Sequence, residues 1–218
     1  MEKRTIERYS KAGIAFHWVF SFVVLILVLT GTSMFVPGRG PEGGYATGII
    51  HRICAALFLA IPLLYSLLSP GRAAAFLKET FHWGKDDLRW FRKAPDYYFG
   101  GSGENMPPQD RLNTGQKMWQ MVLTLTAVLF LVTGVIMWLF KSAIAVNIYQ
   151  WLLFFHGAAF IVFLFMLLAH IYMSGLHPRM RGVFYSMIDG KIPASYAREH
   201  HGKWYERIKE ESREHKET

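Results

Sequence analysis

The stretch Phe155-His156-Gly157-Ala158-Ala159-Phe160-Ile161-Val162-Phe163-Leu164-Phe165-Met166-Leu167-Leu168-Ala169-His170 decides the fold. No charged residue lies between its two histidines. It sits inside the apolar run 146–174, and crossing a bilayer takes about 20 such residues. An ionisable side chain in hydrocarbon is costly and marks function. The two histidines are 14 residues apart, which is about 21 Å along a helix axis. At roughly 100° per residue, that separation closes to within about 40° of whole turns, so both project from nearly the same face.

Three more runs have the same character: 14–36, 48–68 and 117–140. The chain has 218 residues, 52% of them hydrophobic, and a soluble domain of that size would show shorter apolar runs. The expected fold is an all-α membrane protein, a bundle of four transmembrane helices. The first run follows basic residues, as a signal peptide would. It is too long and ends in no small-residue cleavage pattern, so it reads as a retained anchor. The lone Cys54 cannot form an intramolecular disulfide and reads as a small apolar packing residue.

Lys and Arg set the orientation. The segments 1–13, 37–47, 69–116, 141–145 and 175–218 carry 4, 1, 7, 1 and 9 of them. That alternation places both termini and the middle loop in the cytoplasm. The net charge of +8 therefore speaks of topology and an anionic leaflet. No stacking or base-reading motif accompanies it, so nucleic acid is not an expected partner. The expected organisation is a membrane domain over 1–174, with a cytoplasmic loop 69–116, and a helical tail over 175–218. The turn between the first two spans lies in Pro37–Gly44, and Lys85–Lys93 reads as a short amphipathic helix at the interface.

Two further histidines, His17 and His51, lie inside the first and second runs. Given the orientation, His51 and His156 share a depth near the periplasmic face, and His17 and His170 share one near the cytoplasmic face. The fourth helix then serves both levels. Two histidines at each of two depths suit two stacked bis-histidine haem b centres, with a neutral imidazole nitrogen on each side of the iron. Zinc suits them less, since no Cys or carboxylate completes a tetrahedral site. Gly157, Ala158 and Ala159 beside His156, and Cys54, Ala55 and Ala56 after His51, relieve crowding next to a flat macrocycle. His82, His177, His200, His201 and His215 read as solvated or partner-facing loop and tail residues.

Just before the third run stands Arg111-Leu112-Asn113-Thr114-Gly115-Gln116-Lys117-Met118. Asn113 is a good helix N-cap, and Gln116 can return its hydrogen bond. The same polar groups would sit at the cytoplasmic membrane edge, where a quinone headgroup needs partners for its carbonyls.

These residues carry a resemblance. The chain resembles the gamma subunits, dihaem cytochromes b, of respiratory formate dehydrogenases of the N type. The matching stretches are Phe16-His17-Trp18, Gly48-Ile49-Ile50-His51, Leu112 to Met118, Thr133-Gly134-Val135-Ile136, Phe155 to Ala159, Ala169-His170-Ile171-Tyr172-Met173, Met187-Ile188-Asp189-Gly190-Lys191 and His200-His201-Gly202-Lys203-Trp204-Tyr205. The resemblance covers nearly the whole chain; the stretch 76–108 does not match. It implies a subunit of the bacterial inner membrane with two haem b. Electrons from a molybdenum or tungsten catalytic subunit would reach it through a periplasmic iron–sulfur subunit. It would deliver them to menaquinone near the cytoplasmic face. By that similarity Asn113, Gly115, Gln116 and His170 line the quinone site, and the ligand pairing matches the one read from depth.

Two other readings remain open at this stage. One is the cytochrome b subunit of a nickel–iron hydrogenase or another molybdenum enzyme. The other is a haem-free membrane anchor. A transporter is disfavoured, because there is no midplane carboxylate and no broken-helix repeat. No nucleophile–base pair or phosphate loop is present, so the chain by itself would not oxidise formate.

Overall fold

The computed structural model describes residues 4–35, 41–101 and 106–217. Half of the expected turn Pro37–Gly44, residues 37–40, and the end of the first span at Val36 lie outside these; the other half opens the second helix. Chain contacts divide the protein into two units. One is Tyr9–Phe76; the other joins the N-terminal segment through Arg8 to everything from Leu77 onward.

The first unit is a helical hairpin, α1 (Lys11–Phe35) against α2 (Pro41–Leu68). A third helix, α3 (Pro70–Phe81), follows at once and runs on into the second unit. Phe16 stacks on Tyr65 and Phe20 on Phe58, which closes one end of the hairpin. Pro62 lies inside α2, as membrane helices tolerate where a neighbouring helix supports the backbone. Cys54 is buried and free, the packing residue expected of it.

The second unit contains the other hairpin, α5 (Thr114–Leu139) against α6 (Val146–Ile171). Helix α6 ends in a π-helical turn, Tyr172–Leu176, closed by His177 N–H donating to the Tyr172 carbonyl at 2.8 Å. Among the described residues, α1, α2, α5 and α6 with its π turn are the four helices long and apolar enough to cross a membrane. Their outward faces expose Leu29, Leu67, Leu125 and Phe165. Such patches need lipid or partner helices to cover them.

A polar layer surrounds the start of α5 in this second unit. Helix α4 (Lys85–Tyr98) runs five residues past the segment expected from sequence. It buries Asp87, Trp90, Ala94 and Tyr97, whose spacing puts them on one helical face. Pro178–Met180 and α7 (Arg181–Asp189) follow the π turn. Gly190 then adopts a left-handed φ of 81° that ends α7, a conformation costly for residues with a Cβ. Next come β2 (Lys191–Pro193), α8 (Ala194–His200) and α9 (Gly202–Glu217).

The sequence reading contained no strands, yet β1 (Thr5–Glu7) pairs antiparallel with β2, Ile6 opposite Ile192. Two strands this short leave little periodicity to read. Packing holds them: Ile192, Ala197 and Trp204 form a small core, with Ile6, Tyr196 and Ile208 against it.

Candidate functional site: two histidine-bearing hairpins and a capped helix start

Each hairpin holds one histidine, His51 or His156, in the same way. On α2, the His51 Nδ1 lies 2.9 Å from the Thr30 hydroxyl of α1. On α6, the His156 Nδ1 lies 2.8 Å from the Thr133 hydroxyl of α5. The next residue on α5, Gly134, lies along the same imidazole. A Cβ there would come 3.6 Å from the His156 Cε1, in ordinary contact. All four membrane histidines are half-buried.

The other two histidines take aromatic neighbours. His17 meets Trp18 edge-on, with ring centroids 5.1 Å apart. His17 Nδ1 is buried and has no hydrogen-bond partner among the described residues. His170 lies flat against Trp119, centroids 4.7 Å apart and planes within 11°. Trp119 follows Gln116 by three residues, about 4.5 Å of helix rise. The His170 end of α6 and the Gln116 end of α5 are therefore neighbours in one unit.

The start of α5 is a complete capping box. The Asn113 side-chain oxygen accepts from the Gln116 N–H at 2.9 Å, and Gln116 Oε1 accepts from the Asn113 N–H at 3.1 Å. Arg8 donates to that same Gln116 oxygen at 3.2 Å and to the Arg111 carbonyl at 2.8 Å. Both side-chain oxygens are thus committed to the cap, and the amide NH2 groups of Asn113 and Gln116 are the ends left to donate to a ligand. Gly115 touches Trp90, and a Cβ there would stand 3.1 Å from the indole.

Behind the cap lies a buried polar network. The Thr114 hydroxyl, fully buried, sits 2.7 Å from Asp87 Oδ1 and 2.9 Å from Gln109 Oε1. Lys117 pairs with Asp87 at 3.0 Å, and both side chains are nearly enclosed. Burial alone would raise the Asp87 carboxyl. The Gly84 N–H, Thr114 hydroxyl and Lys117 outweigh it and hold the group below the ordinary carboxylate value. A cleft of about 210 Å³, lined by Asp87, Lys117, Asp86 and Lys203 among others, opens beside this pair.

The tail clamps the segment before the cap. His201 Nδ1 donates to the Asp110 carbonyl at 2.7 Å, and Arg207 grips the Asp110 carboxylate at 2.7 and 2.9 Å. Arg111 forms a two-point ion pair with Glu79. His200 meets the Tyr97 hydroxyl at 2.8 Å, and His177 reaches the Tyr98 carbonyl at 3.0 Å. This corrects the reading of His177, His200 and His201 as solvated or partner-facing; the His215 side chain lies outside the described ones. His82 is exposed, but His177 and His201 are buried. Burial, with Arg8 nearby, pushes His201 down to about 3.

Sequence reasoning missed five residues at this site: Thr30, Thr133, Trp119, Trp90 and Arg8. Arg8 was weighed only as a topological charge. Thr133 stood inside a motif of the resemblance without a role. No local signal marks the others, because each meets its partner only through packing.

The residues present fit haem b. His51 and His156 each meet a threonine hydroxyl at Nδ1, and an imidazole held by one ring nitrogen can ligate a metal through the other. No group of three or more His, Cys, Asp or Glu side chains able to hold a metal ion occurs among the described residues. That donor set suits an iron already carried by a macrocycle, which asks only for axial imidazoles.

Comparison with known proteins agrees. Residues 8–190 match the family described as prokaryotic cytochrome b561. Among curated proteins, the nitrate-inducible formate dehydrogenase cytochrome b556(Fdn) subunit of Escherichia coli K12 is 27% identical over 199 residues, 89% of this chain and 87% of its own. The cytochrome b556(fdo) subunit of formate dehydrogenase from the same organism is 24% identical, covering 96% of both chains. A formate dehydrogenase cytochrome b556 subunit of Haemophilus influenzae is 24% identical over 94% of this chain and 83% of its own.

Proposed function

The chain belongs to the prokaryotic cytochrome b561 family, and from that premise we propose that it is the membrane cytochrome b subunit of a respiratory formate dehydrogenase. It carries electrons from a periplasmic iron–sulfur subunit, through two haem b groups, to menaquinone near the cytoplasmic face. The observation that carries the reading is the repeated arrangement of His51 and His156, each presented by a hairpin with its Nδ1 against a threonine hydroxyl of the neighbouring helix. The names of its relatives supply the formate dehydrogenase.

When bound, haem b supplies one-electron ferric–ferrous chemistry. In this reading His51 and His156 would hold the haem on the periplasmic side, and His17 and His170 the haem on the cytoplasmic side. The pairing rests on matched depth in the sequence and on the Lys and Arg distribution. Asn113 and Gln116 donate amide hydrogens to a quinone carbonyl. Trp119 keeps the His170 ring beside them, and Gly115 lets Trp90 close over the helix start. Reduction of the quinone takes two electrons, which bound haem would supply, and two protons from the cytoplasmic side. With electrons arriving from the opposite side, turnover separates charge across the inner membrane.

The test is purification of the native complex from membranes. A reducible b-type spectrum, two haems per chain, and co-purifying iron–sulfur and molybdenum or tungsten subunits with formate-dependent quinone reduction are expected. A colourless chain would leave only a membrane anchor. A hydrogenase as the co-purifying enzyme would move the subunit to another complex.

A further inference from the structure

We infer that Thr30 and Thr133 are positioning residues that fix the tautomer and ring plane of His51 and His156, and that they tune the iron these histidines hold. The inference rests on the haem reading above.

The argument is a count of hydrogens. A threonine hydroxyl has one proton and two lone pairs. Thr30 directs its proton to the Ile26 carbonyl at 2.8 Å, with Leu27 at 3.2 Å. Thr133 directs its proton to the Leu129 carbonyl at 2.6 Å. Both are bonds back to the preceding turn, as buried threonines in apolar helices make. Each oxygen then faces an imidazole Nδ1 with a lone pair only. The contacts of 2.9 and 2.8 Å therefore require Nδ1 to carry the proton. The lone pair then lies on Nε2, the nitrogen that would ligate iron in this reading.

Back-bonding by itself does not explain the arrangement. Thr124 and Thr126 on α5 make the same bond, to Gln120 at 2.8 Å and Val122 at 2.7 Å, and among the described residues neither hydroxyl meets an imidazole. In both hairpins the histidine belongs to one helix and the threonine to the other, so ring orientation is set by helix packing within the hairpin. An Nδ1–H that donates to oxygen also makes the imidazole a stronger electron donor. That favours ferric iron and holds the reduction potential down.

The test uses the full complex in membranes, with Thr30→Val, Thr133→Val, the double variant, and Thr→Ser at each position. Valine keeps the shape and removes the hydroxyl; serine keeps the hydroxyl. Redox titration and low-temperature EPR of the ferric haems are the readouts. The valine variants should keep two haems and raise the midpoint potential of one. They should shift its low-spin signal, while serine matches the wild type. In the double variant both losses should fall on that same haem and leave the other unmoved. Wild-type potentials and signals in the valine variants would overturn the inference, as would serine behaving like valine. If valine loses the haem, retention by serine supports the hydroxyl's role, and loss by serine as well overturns it. A wild-type protein without b-type absorption would instead sink the haem reading itself.

Discussion

The α1–α2 and α5–α6 hairpins solve one problem alike and differ in everything around it. Both hold a histidine in an apolar setting through a threonine on the neighbouring helix, 21 residues upstream in one and 23 in the other. Beyond that, the first hairpin is joined mainly by aromatic stacking, whereas α5 begins in a capping box braced by Arg8, Asp87 and Gln109. Holding a metal-bound group needs one oriented nitrogen per hairpin. Exchanging protons and electrons with a diffusing substrate needs polar groups at a membrane edge, with donors left over. Among the described residues, that second set is seen at the start of α5.

The largest expected effect comes from breaking what the hairpins share. His51→Ala and His156→Ala should each cost one of two haems, read from the pyridine haemochrome content, and stop electron uptake from the donor. If either variant keeps both haems, the two hairpins do not serve one iron.

The next experiment breaks what they do not share. Asn113→Asp keeps a good N-cap. It replaces the amide donor with a charge that repels a reduced quinone. Loss of a hydrogen bond to a charged or developing anionic oxygen is worth about 1.5–3 kcal/mol, or roughly 10- to 150-fold in rate. Haem content and haem reduction by the donor should be normal, and stopped-flow reoxidation by a menaquinone analogue should slow by that factor. A normal reoxidation rate would make Asn113 a cap and nothing more.

A smaller effect tests the tail that braces α5. His201 is held neutral at about 3, against 6.5 when solvated. Below about pH 6.5 the released tail takes up a proton that the docked tail refuses. Docking should then weaken by up to about 1.4 kcal/mol per pH unit until the lower value is reached. Above pH 6.5 this group contributes no pH dependence. A spin label at the exposed position 210, introduced as Glu210→Cys, should gain mobility on acidification from pH 7 to 4. The gain should shrink when His201→Asn is added. Unchanged mobility through that window would show that the histidine does not control docking.

The smallest effect separates packing from ligand contact at Gly115. In Gly115→Ala the added Cβ meets the Trp90 ring at 3.1 Å. The indole must give way, at a cost of about 1–3 kcal/mol if it cannot relax fully. Thermal stability of the haem spectrum should fall modestly, with the KM for quinone within about twofold. A large rise in KM at unchanged stability would make Gly115 part of the ligand surface.

The sequence by itself determined the membrane class, the four apolar helices, the capping box at Asn113 and the four histidines. Those signals are local: an apolar run long enough to cross a bilayer, a residue type at a fixed offset, a helix repeat that aligns positions 156 and 170. Even so, α5 starts three residues earlier than its apolar run, because Thr114 to Gln116 form the polar first turn after the cap. Only tertiary structure decided which threonines among several meet an imidazole, and that Trp119 rather than another aromatic lies on His170. It also decided that Arg8 crosses 108 positions to reach Gln116, and that His201 is buried against Asp110 rather than solvated. A hydroxyl or guanidinium states what it can donate or accept, but its partner is chosen by which helices and strands come to pack together.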